Sequence, residues 1–411
     1  MNACVALGLS VSSSALVALD WPQWRGPDRN DVSRETGLLK EWPEGGPKRL
    51  WLFKDAGLGY AGSAIVGGRL YTLGGRDDSE FLIAVDVKTG KELWSSKIGS
   101  FLKNPWGGGP RSTPSIDGDR VYAMGGEGGL VCAQTSDGKI LWEHAMKEYG
   151  GKVPEWGYTE SPLVDGDKVL CTPGGSKGAI TALDKQTGKT IWQSKDFTDG
   201  AQYSSIISAD HNGARQLIQL TMKHVVGLDA SNGAVLWQSE WPGDTAVIPT
   251  PIFSDGYVYV TSGYGVGCKL VKIGPGNKVT DVYDNKVMKN HHGGVVLVGE
   301  HLYGHSDGGG WICQDFKTGK EVWSERKNLG KGAVSSADGM LYCLGEDTGT
   351  VVLAEASPNG WKEHGRFKLD PQTTQRSSRG KIWTHPVVAN GELFLRDQEL
   401  LFCFDIKKTQ D

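Results

Sequence analysis

The chain has 411 residues, of which 59 are glycine and 15 are tryptophan, so glycine is used about twice as often as in average proteins. A hydrophobic fraction of 38% excludes an intrinsically disordered chain, and glycines without a three-residue period exclude a collagen-like one. The net charge is −4, so we expect no nucleic-acid partner. Abundant glycine and tryptophan in a chain of this size are typical of an all-β repeat protein.

Residues 1–19 carry no charged side chain and include several serines. A membrane-spanning helix needs about 20 predominantly apolar residues, so we predict no transmembrane segment here. A remnant of a secretory signal peptide, cleaved near Ala18, fits the pattern better, although no Lys or Arg precedes the apolar run. Export is therefore the favoured interpretation, and a loosely packed tail is the alternative.

Residues 20–47 form an extension that is too long for a bare connector. The extension contains Trp21, Trp24 and Trp42. We expect these three rings to pack across the surface of the domain that follows.

Eight hairpin signals recur along the chain, each with a glycine turn between two apolar, β-rich runs, as in SIDGDRVY. The turn glycines are Gly68, Gly118, Gly166, Gly213, Gly256, Gly299, Gly339 and Gly391. They recur about every 46 residues. Four short strands in such a period indicate one blade of a β-propeller.

A second repeat, AVDVKTGKELW at Ala84–Trp94, reads as two strands joined by a turn. Each copy ends in an aromatic residue that we expect to close one blade against the next. These residues are Trp94, Trp142, Trp192, Trp237 and Trp323, with degenerate copies at Tyr283 and Trp361.

Eight turn glycines are thus followed by seven closing aromatics, and the missing strand lies at the other end of the chain. The segment KRLWLFK, which contains Trp51, resembles the terminal strand of the other repeats. We therefore predict that residues 48–411 form a single eight-bladed β-propeller, closed by an N-terminal strand that joins the last blade. We expect it to be a monomer.

Six cysteines fall within the repeats, and no two of them have a C-x-x-C spacing. Zinc, thioredoxin-type redox and c-type haem sites therefore lack support, and we predict no metal site. Several of the cysteines occupy repeat positions where other blades have Ala or Gly, so we expect buried, reduced thiols. They are Cys132, Cys171, Cys268, Cys313, Cys343 and Cys403.

The motif A-x-D-x-x-T-G-K-x-x-W, found at Ala84–Trp94 and Ala182–Trp192, resembles the tryptophan-docking repeat of the quinoprotein alcohol dehydrogenases. That family binds pyrroloquinoline quinone (PQQ) on an eight-bladed propeller. The resemblance extends from about Tyr60 to Asp405, and PQQ-like propellers without the cofactor share it, including the propeller subunit of the outer-membrane β-barrel assembly machinery. It implies a protein of the bacterial cell envelope, periplasmic or secreted.

The resemblance also implies what a quinone site would need. The family clamps the quinone between a tryptophan and a pair of adjacent, disulfide-bonded cysteines, and this sequence has no Cys-Cys pair. The family holds Ca²⁺ with Glu, Asn and Asp, and Glu160 cannot be matched to that set. We therefore expect no cofactor, with PQQ and Ca²⁺ as the alternative.

The loops that lead into the first strand of each blade should border the central channel, where binding residues usually lie. They carry eight candidates for a funnel that binds a ligand: Arg111, Glu160, Tyr203, His291, His292, Lys331, Trp383 and His385. A solvated channel wall is the alternative. We do not expect His291 and His292 to share a metal ion, because adjacent side chains in a strand point in opposite directions.

The polar stretch from His364 to Lys381 leads into the last blade and is long enough to be either functional or mobile. It could form a lid, or it could be a solvated insertion.

Two functions follow from these observations. The favoured one is an exported envelope propeller that acts as a binding or scaffold module, without catalysis of its own and with no assigned catalytic residue. Its partner would be an envelope protein or a small polar ligand. The alternative is a PQQ-dependent dehydrogenase of the alcohol or polyvinyl alcohol type, with the quinone in the funnel.

Overall fold

The fold consists almost entirely of strands, arranged as the blades of a ring. The computed structural model describes residues 19–408, and it contains eight sheets, each with four antiparallel strands from one blade. Two short 3₁₀ helices, Met146–Tyr149 and Pro275–Asn277, interrupt the pattern. Within residues 19–408, no helix is long and apolar enough to cross a membrane.

The first two strands, β1 (Val32–Ser33) and β2 (Lys48–Phe53), precede the repeats. Blade 1 comprises β3 (Ala64–Val66), β4 (Arg69–Arg76), β5 (Ser79–Asp86) and β6 (Glu92–Ser100). Blade 2 comprises β7 (Ser115–Asp117), β8 (Arg120–Met124), β9 (Gly129–Gln134) and β10 (Ile140–Ala145). Blade 3 comprises β11 (Leu163–Asp165), β12 (Lys168–Cys171), β13 (Thr181–Asp184) and β14 (Thr190–Gln193). Blade 4 comprises β15 (Ile207–His211), β16 (Ala214–Leu220), β17 (His224–Asp229) and β18 (Val235–Glu240).

The second half continues in the same order. Blade 5 comprises β19 (Ile252–Ser254), β20 (Tyr257–Ser262), β21 (Gly267–Ile273) and β22 (Val279–Asn285). Blade 6 comprises β23 (Val295–Val298), β24 (His301–Ser306), β25 (Gly310–Asp315) and β26 (Glu321–Glu325). Blade 7 comprises β27 (Gly332–Ala337), β28 (Met340–Gly345), β29 (Thr350–Glu355) and β30 (Glu363–Lys368). Blade 8 comprises β31 (Val387–Ala389), β32 (Glu392–Asp397) and β33 (Leu400–Asp405), completed by β2.

The ring closes as the repeat count predicted. Strand β2 pairs antiparallel with β33, with Trp51 opposite Cys403. Blade 8 thus contains strands from both ends of the propeller, and the eight-bladed fold with N-terminal closure is confirmed. This arrangement leaves no unpaired strand at a seam, where a sheet edge would otherwise invite association.

The predicted turn glycines lie between the first and second strands of their blades, and all eight have positive φ. Gly118, for example, has a φ of 58° in the turn between β7 and β8. Side chains with a Cβ rarely adopt this conformation, so glycine at the repeat position fixes the hairpin.

The outer strand of seven blades contains a β-bulge just before its aromatic residue, and the bulge orients the ring toward the next blade. In β6, Trp94 pairs with Ala84 and Glu92 pairs with Val85, so Leu93 between them is unpaired and exposed. The indole N–H of Trp94 then donates to the Thr135 carbonyl of blade 2, at 3.1 Å. Equivalent bonds to the following blade come from Trp51, Trp142, Trp192, Tyr283 and Trp323.

Two of the eight aromatic positions differ. Trp237 donates to Gln216 Oε1 within its own blade, at 2.7 Å. In the next blade, blade 5, the turn that the other aromatic residues contact is replaced by the Pro275–Asn277 helix. Trp361 precedes strand β30 and packs against Trp311 and Trp323, with ring centroids 5.9 and 6.2 Å apart.

The hydrophobic core lies between neighbouring blades. The six cysteines of the repeats are free and buried within it. Burial raises the pKa of Cys171 and Cys343 well above the usual value of a thiol, which keeps both protonated. Cys4, together with the predicted signal peptide and its cleavage near Ala18, lies outside the described residues.

The extension from residue 20 to 47 is not confined to the outer surface. It pairs with blade 1 through Trp21 and Ile65, and β1 adds a parallel fifth strand to β27 of blade 7. Glu35 accepts hydrogen bonds from the backbone N–H groups of the blade 8 hairpin turn. Between these attachments Arg25 donates to backbone carbonyls at blades 5 and 6, and Arg29 donates to one at blade 3, so the segment crosses the central channel.

Candidate functional site

A cavity of about 330 Å³ occupies one mouth of the channel, where the loops that lead into the inner strands converge. The wall contains four tryptophans, three tyrosines and three histidines. The lining residues are Trp24, Arg25, Tyr60, Trp106, Arg111, Trp156, Thr159, Tyr203, Ser205, Ala246, Ile248, Pro249, Thr250, Tyr264, His291, His292, Gly294, Trp383 and His385. We call this cavity the funnel.

Six of the eight candidate residues line the funnel: Arg111, Tyr203, His291, His292, Trp383 and His385. The other two lie behind its wall. Glu160 accepts hydrogen bonds from the backbone N–H of Thr172, at 2.5 Å, and from its hydroxyl. Burial raises the pKa of Glu160 to about 7. Lys331 is not a lining residue, but its ammonium contacts His291, which is one.

The aromatic rings of the funnel contact one another in pairs. Tyr60 packs against Trp383 with ring centroids 4.9 Å apart, and Trp156 meets Tyr203 edge-on at 5.6 Å. Trp106 at the rim is 41% exposed. Such rings provide flat, rigid apolar surface, so the funnel suits a ligand with a planar or apolar body.

Arg111 is a cation set into this aromatic wall. Its guanidinium lies 4.8 Å from the centre of the Tyr60 ring and donates to the Gly107 carbonyl at 2.6 Å. Its Nε–H finds no acceptor, and it forms no ion pair among residues 19–408. Burial lowers the pKa of Arg111 from its usual value. A buried cation without a carboxylate partner favours an anionic ligand.

His291 is held neutral by its surroundings. The Lys331 ammonium donates to Nδ1 of His291 at 2.5 Å and is itself paired with Asp307 at 2.8 Å. Burial, with the neighbouring His292 and Lys331, lowers the pKa of His291 to about 3. The lone pair of Nδ1 is therefore engaged by the lysine.

His292 and Trp383 share one acceptor. Nε2 of His292 lies 2.5 Å from Glu346 Oε2, and the Trp383 indole N–H donates to the same oxygen at 3.2 Å. Burial would raise the pKa of Glu346, but the His292 hydrogen bond and nearby positive charges leave it below its usual value. The carboxylate thus fixes both rings at the funnel wall.

The floor of the funnel comes from the N-terminal extension. Nε of Arg25 lies 2.7 Å from Asp31 Oδ2, and both side chains are almost fully buried. The same Asp31 oxygen lies 3.0 Å from His385 Nδ1, and His385 Nε2 lies 2.9 Å from the His292 carbonyl oxygen. Both ring nitrogens of His385 thus face oxygen atoms, which fixes the orientation of the ring.

The prediction that Trp24 packs across the surface of the propeller needs a correction, because Trp24 lies in the floor of the funnel. Its ring lies 4.6 Å from that of His385, and its indole N–H donates to Thr250 Oγ1 at 2.9 Å. The repeat register could not place this residue, because the extension lies outside the repeats. The run W-R-G-P-D-R-N-D, with its two arginines and two aspartates, was the only signal available.

The long polar stretch also needs a correction. Its first part, from His364 to Lys368, belongs to β30 and is not a loop. The remainder lies beside the funnel rim, where Ser377 Oγ donates to the Pro105 carbonyl at 2.6 Å and Arg379 lies 5.6 Å from the Trp106 ring centre.

The low pKa of His291 predicts a pH-dependent stability. An unfolded histidine has a pKa near 6.5, so between about pH 3 and 6.5 the unfolded chain binds more protons than the folded one. The free energy of unfolding should therefore fall as the pH drops through this window, by about 1.4 kcal/mol per unit of pKa shift at most. Replacing His291 with glutamine should flatten the decline in melting temperature between pH 7 and 5. The variant His301→Gln, on a hairpin of blade 6, serves as the control, and parallel curves for His291→Gln and wild type would contradict the assignment.

The donor set of the funnel does not match a Ca²⁺-bound quinone. Ca²⁺ prefers carboxylate and carbonyl oxygens, and no Asp or Glu is among the lining residues. Across residues 19–408, no group of three or more His, Cys, Asp or Glu side chains is arranged to hold a metal ion. The residues present therefore do not fit this cofactor with its metal.

Comparison with known proteins shows which family the repeats match. Residues 78–325, more than half of the chain, match the family described as outer membrane protein assembly factor BamB. BamB of Kangiella koreensis is 26% identical over 191 residues, which cover 45% of this chain and 44% of that protein. A polyvinylalcohol dehydrogenase of a Sphingopyxis species is 25% identical, covering 45% of this chain and 32% of the enzyme. The matched region spans about half or less of these relatives.

A solved structure shares the fold over nearly the whole chain. The quinohemoprotein alcohol dehydrogenase of Comamonas testosteroni superposes with a TM-score of 0.64. The superposition covers 96% of this chain and 81% of the enzyme, at 12% sequence identity. This similarity shows the propeller fold alone, because one propeller scaffold supports many functions.

Proposed function

Because this chain belongs to the family of the outer membrane protein assembly factor BamB, we propose that it is a cell-envelope binding module, exported to the periplasm or beyond. Its funnel receives an organic anion with a flat, apolar body, either free or displayed by a partner protein. The module binds without chemistry of its own.

One observation carries this proposal: the Arg111 guanidinium lies inside an aromatic wall and has no carboxylate partner among residues 19–408. A carboxylate against the Arg111 guanidinium would supply the missing counter-charge and offset the cost of burying the cation. The rest of the ligand would lie against Tyr60, Trp383 and the other rings, where burial of apolar area supplies most of the affinity.

Three ion pairs surround the funnel. Lys331 is paired with Asp307, His292 with Glu346, and Arg25 with Asp31. A ligand with one negative charge is therefore sufficient, and a second charge would have to displace an existing pair.

Titration with 2-naphthoate and with the neutral 2-naphthamide tests the proposal, because the two probes differ only in charge. Quenching of the tryptophan fluorescence reports binding, since four tryptophans line the funnel. We expect wild type to bind 2-naphthoate more tightly than the amide. Arg111→Gln should weaken naphthoate binding about 10- to 100-fold, as expected for a hydrogen bond to a charged group, and leave amide binding unchanged.

Arg379→Gln is the matched control, because it removes a cation at the rim and leaves the funnel wall intact. If Arg111→Gln bound 2-naphthoate as tightly as wild type, Arg111 would not be the anion site.

The alternative is a PQQ-dependent alcohol or polyvinyl alcohol dehydrogenase. The similarity to the polyvinylalcohol dehydrogenase of the Sphingopyxis species favours it. It predicts that PQQ with Ca²⁺ gives a bound-quinone spectrum and dye-linked oxidation of an alcohol. An unchanged spectrum at micromolar quinone would reject it, and stoichiometric reduction of the quinone by an alcohol would instead reject a module without chemistry.

A further inference from the structure

The N-terminal extension divides the channel into two compartments. Trp24 and Arg25 face the funnel, at the start of the inner strands. Their neighbours in the crossing segment face a second cavity of about 460 Å³, which lies along the inner strands of blades 3, 4 and 5. The crossing residues that line this second cavity are Gln23, Pro27, Asp28, Arg29 and Asn30.

The second cavity differs from the funnel in its charge. Arg215 pairs with Asp165 at 2.5 Å and with Asp210 at 2.9 Å. Asp28 pairs with Arg34 at 2.5 Å. The charged groups of the wall largely neutralise one another, so the cavity has no strong field to select an anion or a cation.

Arg29 is the exception in its hydrogen bonding. Its side chain is 3% exposed and donates to the Ser161 carbonyl at 2.6 Å, but its Nε–H has no acceptor among the described residues. Burial lowers the pKa of Arg29 to about 9. The Arg29 guanidinium is thus directed at the backbone of blade 3 and holds the crossing segment against that blade.

The remaining wall combines polar groups of both kinds with an apolar surface. Asn30 and Gln23 supply amides and Ser208 a hydroxyl, so the wall carries both donors and acceptors. The Phe253 ring and the two prolines supply the apolar side. A sugar ring presents the same combination, with hydroxyl groups at its edge and C–H groups on its faces.

We propose that this second cavity binds a neutral saccharide, with one sugar ring on Phe253 and hydroxyl groups on Gln23, Asn30 and Ser208. The site is separate from the funnel and does not depend on the function proposed for it. The crossing segment forms a wall of each compartment, so the two sites are neighbours with different ligand chemistry.

Isothermal titration calorimetry of the full chain with maltotetraose, cellotetraose and chitotetraose tests the proposal. We expect at least one of the three to bind with a millimolar or lower dissociation constant. Phe253→Ala should weaken that binding at least tenfold, and Ser208→Trp, which fills the cavity, should abolish it. Arg111→Gln in the funnel should leave it unchanged, which separates the two sites.

Three results would overturn the proposal. The first is no heat from any of the three saccharides at 10 mM. The second is saccharide binding that persists in both Phe253→Ala and Ser208→Trp. The third is binding of inorganic phosphate, lost in Arg29→Gln, without saccharide binding, which would make the cavity an anion site.

Discussion

Replacing Asp31 with alanine should lower the free energy of unfolding by about 3–5 kcal/mol, the usual cost of removing one partner from a buried ion pair. Arg25 and Asp31 are each about 1% exposed, and their pairing distance is 2.7 Å. The substitution would leave the Arg25 guanidinium buried without its counter-charge. It would also remove the oxygen that holds His385 Nδ1. Chemical denaturation monitored by tryptophan fluorescence measures the change.

The chain offers a matched control in the same segment. Asp28 pairs with Arg34 at 2.5 Å, but both side chains are substantially exposed. Asp28→Ala should therefore cost only about 0–1 kcal/mol. A double variant, Arg25→Met with Asp31→Leu, should recover much of the loss, because it removes both charges together. Equal effects of Asp31→Ala and Asp28→Ala would show that the buried pair does not stabilise the crossing segment.

Replacing Trp51 with alanine should destabilise the protein by about 3 kcal/mol, in the range for truncating a large aromatic ring in a core. Trp51 lies on β2, the strand that closes the ring, and its indole N–H donates to the Val87 carbonyl of blade 1 at 2.6 Å. Its ring packs on Gly90 in the following turn, and a Cβ built at Gly90 would lie 2.6 Å from that ring. The substitution therefore weakens the junction between the first and last blades, and thermal unfolding measures the loss.

Two further variants test this contact from both sides. Leu50 precedes Trp51 on the bulge and is 41% exposed, so Leu50→Ala should change stability by less than about 0.5 kcal/mol. Gly90→Ala should be destabilising, because Gly90 has a φ of 67° and no room for a Cβ. If Trp51→Ala had the same melting temperature as wild type, the backbone pairing of β2 would be sufficient to close the propeller.

The closure of the ring was readable from the sequence because its determinants are local and repeated. A turn needs glycine at one position, and each outer strand carries an aromatic at another, so the register of eight copies shows which strand is missing. Trp361 shows the limit of this reasoning. Its blade has a different spacing between the third and fourth strands, and the strand begins after the aromatic residue. In a degenerate repeat, packing in the folded structure decides where the strand begins, and the sequence pattern does not show it.

The funnel residues were partly predictable for the same reason. Arg111, His291 and Trp383 lie in loops that lead into inner strands, and ring symmetry brings all such loops to one mouth. Glu160 lies three residues before the inner strand of its blade, whereas Arg111, His291 and Trp383 each lie four residues before theirs, and its carboxylate bonds to Thr172. The entry loops as a class therefore indicated the mouth, and a difference of one position separated the side chains that form its wall from Glu160 behind it.

Sequence alone determined the number of blades, the order of their strands and the way in which the ring closes, since these depend on short-range turn and strand chemistry repeated along the chain. Only the tertiary structure decided the course of the N-terminal extension through the channel. The Asp31–His385 contact joins residues 354 positions apart, and no repeated motif in the sequence indicates that they are close. Glycine and tryptophan thus specify the scaffold, while long-range pairing of buried charges divides its channel into two compartments.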